Sequence, residues 1–223
     1  MPASAALLLI LLAALLGSWY LLPTSWAKLL VYLWRRQTGL TSHTISVAGI
    51  RWHFLKGGNG PVLLLLHGFG ADTGCWLPLA SRLGQRFSLV IPDLPGFGES
   101  EPPQNLPFNI EAQARRLMAF LDELEVSSCL VAGNSMGGYL ATQLADLDPD
   151  RVRALWLLAP LGVKAVPPGA ALEAIDSGET QAGKIESVHH YRREFLPTVF
   201  KHKNRIPYPI LATQARGAMA RQA

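Results

Sequence analysis

A serine framed by glycines, Gly133-Asn134-Ser135-Met136-Gly137, is the stretch of this sequence best equipped for covalent chemistry. It reads G-x-S-x-G, with the apolar run Cys129-Leu130-Val131-Ala132 before it and helix-type sequence after it. A serine at such a strand-to-helix turn sits in strained backbone with its hydroxyl pushed out of the sheet edge. Glycines at 133 and 137 meet a steric demand, since a Cβ at either position would strike the neighbouring strand or helix. The Met136 N–H falls at a helix N-terminus, where free donors and the helix dipole favour an oxyanion. The chemistry so described is acyl transfer through a covalent ester on Ser135.

A second candidate is His67-Gly68-Phe69-Gly70, directly after the apolar run of residues 61–66. It is not a dinucleotide fingerprint, because the third glycine, Gly74, comes one residue late. A bend beside an exposed serine is better suited to offer a second backbone donor, the Phe69 N–H. His67 and Gly68 are read as support for that loop, with His67 ordering the strand end rather than acting as catalyst. The third candidate is the turn cluster Asp93-Leu94-Pro95-Gly96-Phe97-Gly98-Glu99-Ser100, where Asp93 is read as an acceptor that pins the loop. His53 alternates with apolar neighbours and is read as a sheet-surface residue.

These residues need elements to hold them. Residues 44–47 and 50–54 read as two strands around Gly49, and 61–66 as a strand buried on both faces. A helix is expected over 73–83, a strand over 87–93, and a helix over 110–125 capped by Asn109. Met136–Leu147 reads as helix and Val152–Leu158 as a further apolar strand. Alternating strands and helices are the pattern of an α/β fold with a mostly parallel sheet and helices on both faces.

The 223 residues suffice for one domain with a sizeable core, and the net charge is a modest +4. Residues 184–223 carry eight Lys/Arg against two Glu, a solvated basic face unaccompanied by any nucleic-acid motif. Cys75 and Cys129 are the only cysteines, which argues against a disulfide framework, and no metal-ligand spacing is present. Residues 3–22 hold no charged side chain, the length of a membrane-spanning helix. Trp19, Tyr20 and Trp26 follow at interface height, then Lys28, Arg35 and Arg36 in a segment suited to the membrane surface. The expectation is an N-terminal transmembrane anchor, with a signal peptide or a core helix as rivals. The positive flank after the run places the remaining domain in the cytoplasm, at a bacterial inner membrane.

Taken together, the three motifs resemble those of the α/β-hydrolase superfamily, over about residues 44–160. With the apolar N-terminus and Leu157-Leu158-Ala159-Pro160-Leu161-Gly162, the chain is similar to membrane-anchored bacterial lipases and monoacylglycerol lipases of the abhydrolase-domain-six type. The resemblance implies Ser135 as nucleophile, Phe69 and Met136 as oxyanion donors, no cofactor, and a lipid or small-molecule ester as substrate. It also implies an anchor and juxtamembrane segment over 1–38, a hydrolase core over 39–160 and the start of a helical cap over 161–223. Carbon–carbon bond hydrolases of aromatic degradation carry a similar serine motif and form the main alternative. A non-catalytic membrane-tethered fragment is the other. In this superfamily the acid and then the histidine follow the serine in chain order. Nothing after Ser135 matches them: His189, His190 and His202 fall in the expected cap and are not assigned. The triad acid and base are thus expected to be absent and the fold incomplete at the C-terminus.

Overall fold

A computed structural model describes residues 3–103 and 109–162, together with Ser187, His189, Arg193 and residues 208–213. The chain falls into two compact units, Met1–Leu33 with Ala182–Ala223, and Trp34–Gln181.

In the first unit lies α1 (Ala3–Leu21), followed by the start of α2 (Pro23–Thr38). The break between them falls at Leu22-Pro23, where proline has no N–H to continue the helix but suits the first position of a new one. Trp26 Nε1 donates to Ser18 Oγ at 3.1 Å across that break, and the Trp19 and Trp26 rings lie 5.4 Å apart. Residues 208–213 are helical, and the Tyr208 ring lies 5.0 Å from that of Tyr20. The expected transmembrane helix over residues 3–22 is not supported. No single helix among the described residues is long and apolar enough to cross a membrane. Residues Ile10–Leu21 and Pro23–Thr38 meet that test only as a pair, bent by 95°. The physical reason is the break at Leu22-Pro23, where the chain turns by 95° instead of continuing as one helix.

The second unit holds a six-stranded sheet: β1 (Thr41–Val47), β2 (Ile50–Gly58), β3 (Val62–Leu66), β4 (Ser88–Pro92), β5 (Cys129–Asn134) and β6 (Val152–Leu158). The spatial order is β1-β2-β4-β3-β5-β6. From β4 through β6 the neighbours run parallel, whereas β1–β2 and β2–β4 are antiparallel. The sheet is therefore mixed. The β1–β2 hairpin turns at Ala48-Gly49 and enters the sheet from its edge, without the helical crossover a parallel partner needs.

Helices cover both faces. α4 (Ile110–Glu123) and α5 (Met136–Leu147) bury Leu117, Phe120, Leu121, Leu140 and Leu144 against Trp52, Phe54, Leu64, Leu66, Val90 and Val131. Trp52 stacks on Phe120 with centroids 4.7 Å apart, a pair whose truncation at Phe120 to alanine would cost about 3–5 kcal/mol. The alternate residues Leu63, Leu65, Leu89 and Ile91 bury toward the other face, where α3 (Leu77–Leu83) contributes Leu77 and Ala80. The single helix expected over 73–83 is two pieces, because Asp72 caps a 3-10 turn over Thr73–Trp76 and Pro78 sits in the first turn of α3. Among the described residues β6 is the last strand of the sheet, and Leu155, Trp156 and Leu157 on it are exposed.

Candidate active site

Strand β5 ends at Asn134 and α5 begins at Met136, so Ser135 is the single residue of the turn. Its φ of +53° and ψ of −116° lie in a region that costs an L-residue about 1–3 kcal/mol. The surroundings hold it there. The Ser135 N–H donates to Leu158 O at 3.0 Å, at the end of β6, and its carbonyl accepts from Gly138, Tyr139 and Leu161 N–H. Close backbone approach makes the flanking glycines obligatory. A Cβ on Gly133 would lie 2.5 Å from Gly138 N, and one on Gly137 would lie 2.6 Å from His67 O.

The loop after β3 packs beside the serine. A Cβ on Gly68 would come 3.3 Å from Ser135 Cβ, so the backbone of residues 67–70 passes at contact distance. His67 is fully buried; its Nδ1 donates to Gly68 O at 2.8 Å, and its Nε2 accepts from Leu94 N–H at 3.0 Å. The ring thereby joins the ends of β3 and β4, with no nitrogen left to serve Ser135. Burial pulls this imidazole below its ordinary value, outweighing the Gly68 hydrogen bond and the charges of Asp93 and Asp72, so it is neutral. Among the described residues neither the Phe69 nor the Met136 N–H has a hydrogen-bond acceptor. Met136 is the first residue of α5, where the dipole and the unpaired donors of the first turn both favour negative charge.

Asp93 lies at the end of β4, buried. Its Oδ1 accepts from Thr73 N–H at 2.7 Å, and its Oδ2 from Glu99 N–H at 3.0 Å and from His53 Nδ1 at 2.7 Å. Burial alone would raise this carboxyl, but the bonds from His53, Glu99 and Thr73 prevail and hold it below the usual carboxylate range. The placement of His53 on the sheet surface is overturned: it is 1% exposed. Its ring fills the space beside Asp93, Ser100 Oγ accepts the His53 N–H at 2.8 Å, and the Ser100 hydroxyl donates to Asp93 O at 2.7 Å. The alternation of β2 concealed this, because the buried partner of His53 is forty residues away. The one available signal was the pairing of a histidine in one strand with an aspartate at a strand end.

Among the described residues no imidazole or carboxylate is bonded to the Ser135 hydroxyl. His189 is exposed and belongs to the other unit, whereas His190 and His202 lie outside the described residues, as does most of the expected cap over 161–223. No group of three or more His, Cys, Asp or Glu suited to a metal ion occurs among the described residues, and Cys75 and Cys129 are free thiols.

A glycine-flanked serine on strained backbone, at the end of an interior parallel strand and the start of a helix, has the geometry of a nucleophile elbow. The family model of the alpha/beta hydrolase fold matches residues 61–200, and the chain belongs to that family. It is 36% identical over 132 residues to Lipase 1 of Psychrobacter immobilis, covering 57% of this chain and 41% of that one. It is 40% identical over 102 residues to a pimeloyl-acyl-carrier-protein methyl ester esterase of Pseudoalteromonas atlantica, covering 46% and 38%. Among solved structures it is similar to a membrane phospholipase A described as a bacterial virulence factor. The identity is 32% and the TM-score 0.79, over 99% of this chain and 71% of that chain. The chain spans well under half the length of the curated relatives it matches.

Proposed function

We propose that this protein hydrolyses carboxylic esters of lipids, monoacylglycerols among them, through an acyl-enzyme on Ser135. One observation carries the reading: Ser135 is held at φ +53° on the turn into α5, beside the first N–H of that helix. Ester and lipid-ester hydrolases among the relatives support it.

In this reading Ser135 Oγ attacks the ester carbonyl while the Phe69 and Met136 N–H groups receive the developing oxyanion. The alcohol leaves, and water releases the acid from the serine. The proton of Ser135 requires a base. The ring nitrogens of His43, His53 and His67 are bonded to Thr41, to Ser42 and Asp93, and to Gly68 and Leu94, and none is bonded to Ser135, so the base is taken to lie outside residues 34–162. Within the first unit Leu11, Leu15, Leu16, Tyr20 and Leu29 are exposed and Lys28 lies next to Leu29 in sequence, a surface that would seat the enzyme on the lipid phase. The membrane phospholipase A neighbour supports that seat.

The test is labelling with a fluorophosphonate probe, mapped by peptide mass spectrometry, beside hydrolysis of p-nitrophenyl butyrate. The label should fall on the peptide holding Ser135, and Ser135→Ala should remove both that label and the turnover. Turnover surviving in Ser135→Ala would refute the assignment. Flotation with liposomes, lost when residues 1–33 are deleted, tests the membrane seat.

A further inference from the structure

We propose that Ser42, His53 and Asp93 form a second Ser–His–Asp relay, separate from Ser135, in which the Ser42 hydroxyl takes an acyl or phosphonyl group from an activated ester.

The register of the β1–β2 hairpin places the first two residues together. Thr44 pairs with His53 and Ser42 with Leu55, so Ser42 is the diagonal neighbour of His53 on the same face. Ser42 Oγ lies 2.8 Å from His53 Nε2, and His53 Nδ1 lies 2.7 Å from Asp93 Oδ2. With Asp93 ionised, Nδ1 is the nitrogen that donates to it, and Nε2 turns its lone pair to the serine hydroxyl. That is the tautomer a general base needs, and the carboxylate then stabilises the imidazolium that forms.

The relay is preorganised. Asp93 receives the Thr73 and Glu99 N–H groups besides His53, and the Asp93 N–H donates to His53 O at 2.9 Å. Ser100 ties the two backbones once more, accepting from His53 N–H and donating to Asp93 O. His53 and Asp93 are each 1% exposed, whereas Ser42 is exposed on the edge strand. The nucleophile thus meets solvent and its base does not. Glu99 Oε1 stands 3.9 Å from His53 Nε2, held by Arg35 Nη2 at 3.3 Å. A buried His–Asp pair would satisfy packing without any third hydroxyl, so it is the outward-facing Ser42 that makes the array a reactive one.

In the step itself, Ser42 Oγ bonds to the carbonyl carbon or to phosphorus as its proton passes to His53 Nε2. The bond to the leaving group breaks with its electron pair, and the departing anion takes the proton from His53. No further reactant is needed.

The full chain carrying Ser135→Ala is treated with p-nitrophenyl acetate or a fluorophosphonate and mapped by peptide mass spectrometry. Modification at Ser42 is expected, absent in Ser42→Ala and about 100-fold slower in His53→Gln, the lower range for a lost general base. Ser42→Cys in the same background supplies a readout independent of oxygen nucleophilicity. Iodoacetamide should alkylate it faster than Ser42→Cys with His53→Gln, circular dichroism confirming that both are folded. Ser42 modified no faster than other exposed serines, or equal alkylation of the two cysteine variants, would overturn the proposal.

Discussion

The backbone of α5 at Gly137 touches the end of β3 at His67 so closely that a Cβ on Gly137 would fall 2.6 Å from the His67 carbonyl oxygen. This contact seats the helix carrying Met136 against the loop carrying Phe69, and so sets the spacing of the two proposed oxyanion donors. Neither partner is a flexible side chain, so neither can give way. Gly137→Ala should therefore destabilise the second unit by about 3 kcal/mol, at the upper end of overpacking costs. A urea unfolding curve measures it; a midpoint within error of the parent would show that the backbone relaxes.

Ser135 should display the opposite balance. Its φ of +53° is free of strain only for glycine. Ser135→Gly is expected to stabilise the fold by about 1 kcal/mol while removing the proposed nucleophile. Thermal unfolding beside turnover of p-nitrophenyl butyrate reads both effects. A variant that is less stable than the parent would mean that the hydroxyl itself helps to hold the turn.

Asp93 gathers three donors in a buried site, from Thr73, Glu99 and His53. Asp93→Asn keeps the shape but turns an amide group toward donors and replaces the carboxylate that accepts from His53 Nδ1. The expected cost is about 2–4 kcal/mol. Hydrogen exchange should show the loss first at the Thr73 and Glu99 amides. Unchanged protection there would contradict the bonding described.

His67 makes the stability of the fold depend on pH in one direction. Burial holds its pKa below the ordinary 6.5, so between its folded value and 6.5 the unfolded chain binds a proton that the native chain does not. Stability is therefore full above about 6.5 and falls as the pH drops below it, until the folded value is passed. Urea midpoints taken from about pH 7.5 down to about 5.5 should decline. His67→Gln should flatten the decline while lowering the starting midpoint. A slope unaffected by the substitution would assign it to another group.

Much of the fold is legible in the amino-acid sequence. Val62–Leu66 and Cys129–Asn134 are nearly unbroken apolar runs, and only a strand covered on both faces tolerates that composition. The Ser135 turn was legible because its demands are local: glycine on either side, a strand before and a helix after. The antiparallel entry of β1 and β2 was not, since strand direction depends on which edge a hairpin meets rather than on its own residues. Nor was the 95° bend at Leu22-Pro23, because the proline marks where a helix can break but not the direction the next one takes.

The amino-acid sequence by itself determined the elbow, its glycines and the alternation of strand and helix, since each follows from steric and hydrophobic rules acting over a few residues. Only the tertiary structure decided the company of His53. Periodicity places a side chain on one face of a strand but is silent about what the chain brings back to that face. Here β4 returns Asp93 to within 2.7 Å, β1 brings Ser42 to within 2.8 Å, and a residue read as surface becomes the buried centre of a hydrogen-bonded array. Burial follows from the sum of all neighbours, and those neighbours are set by the packing of distant segments.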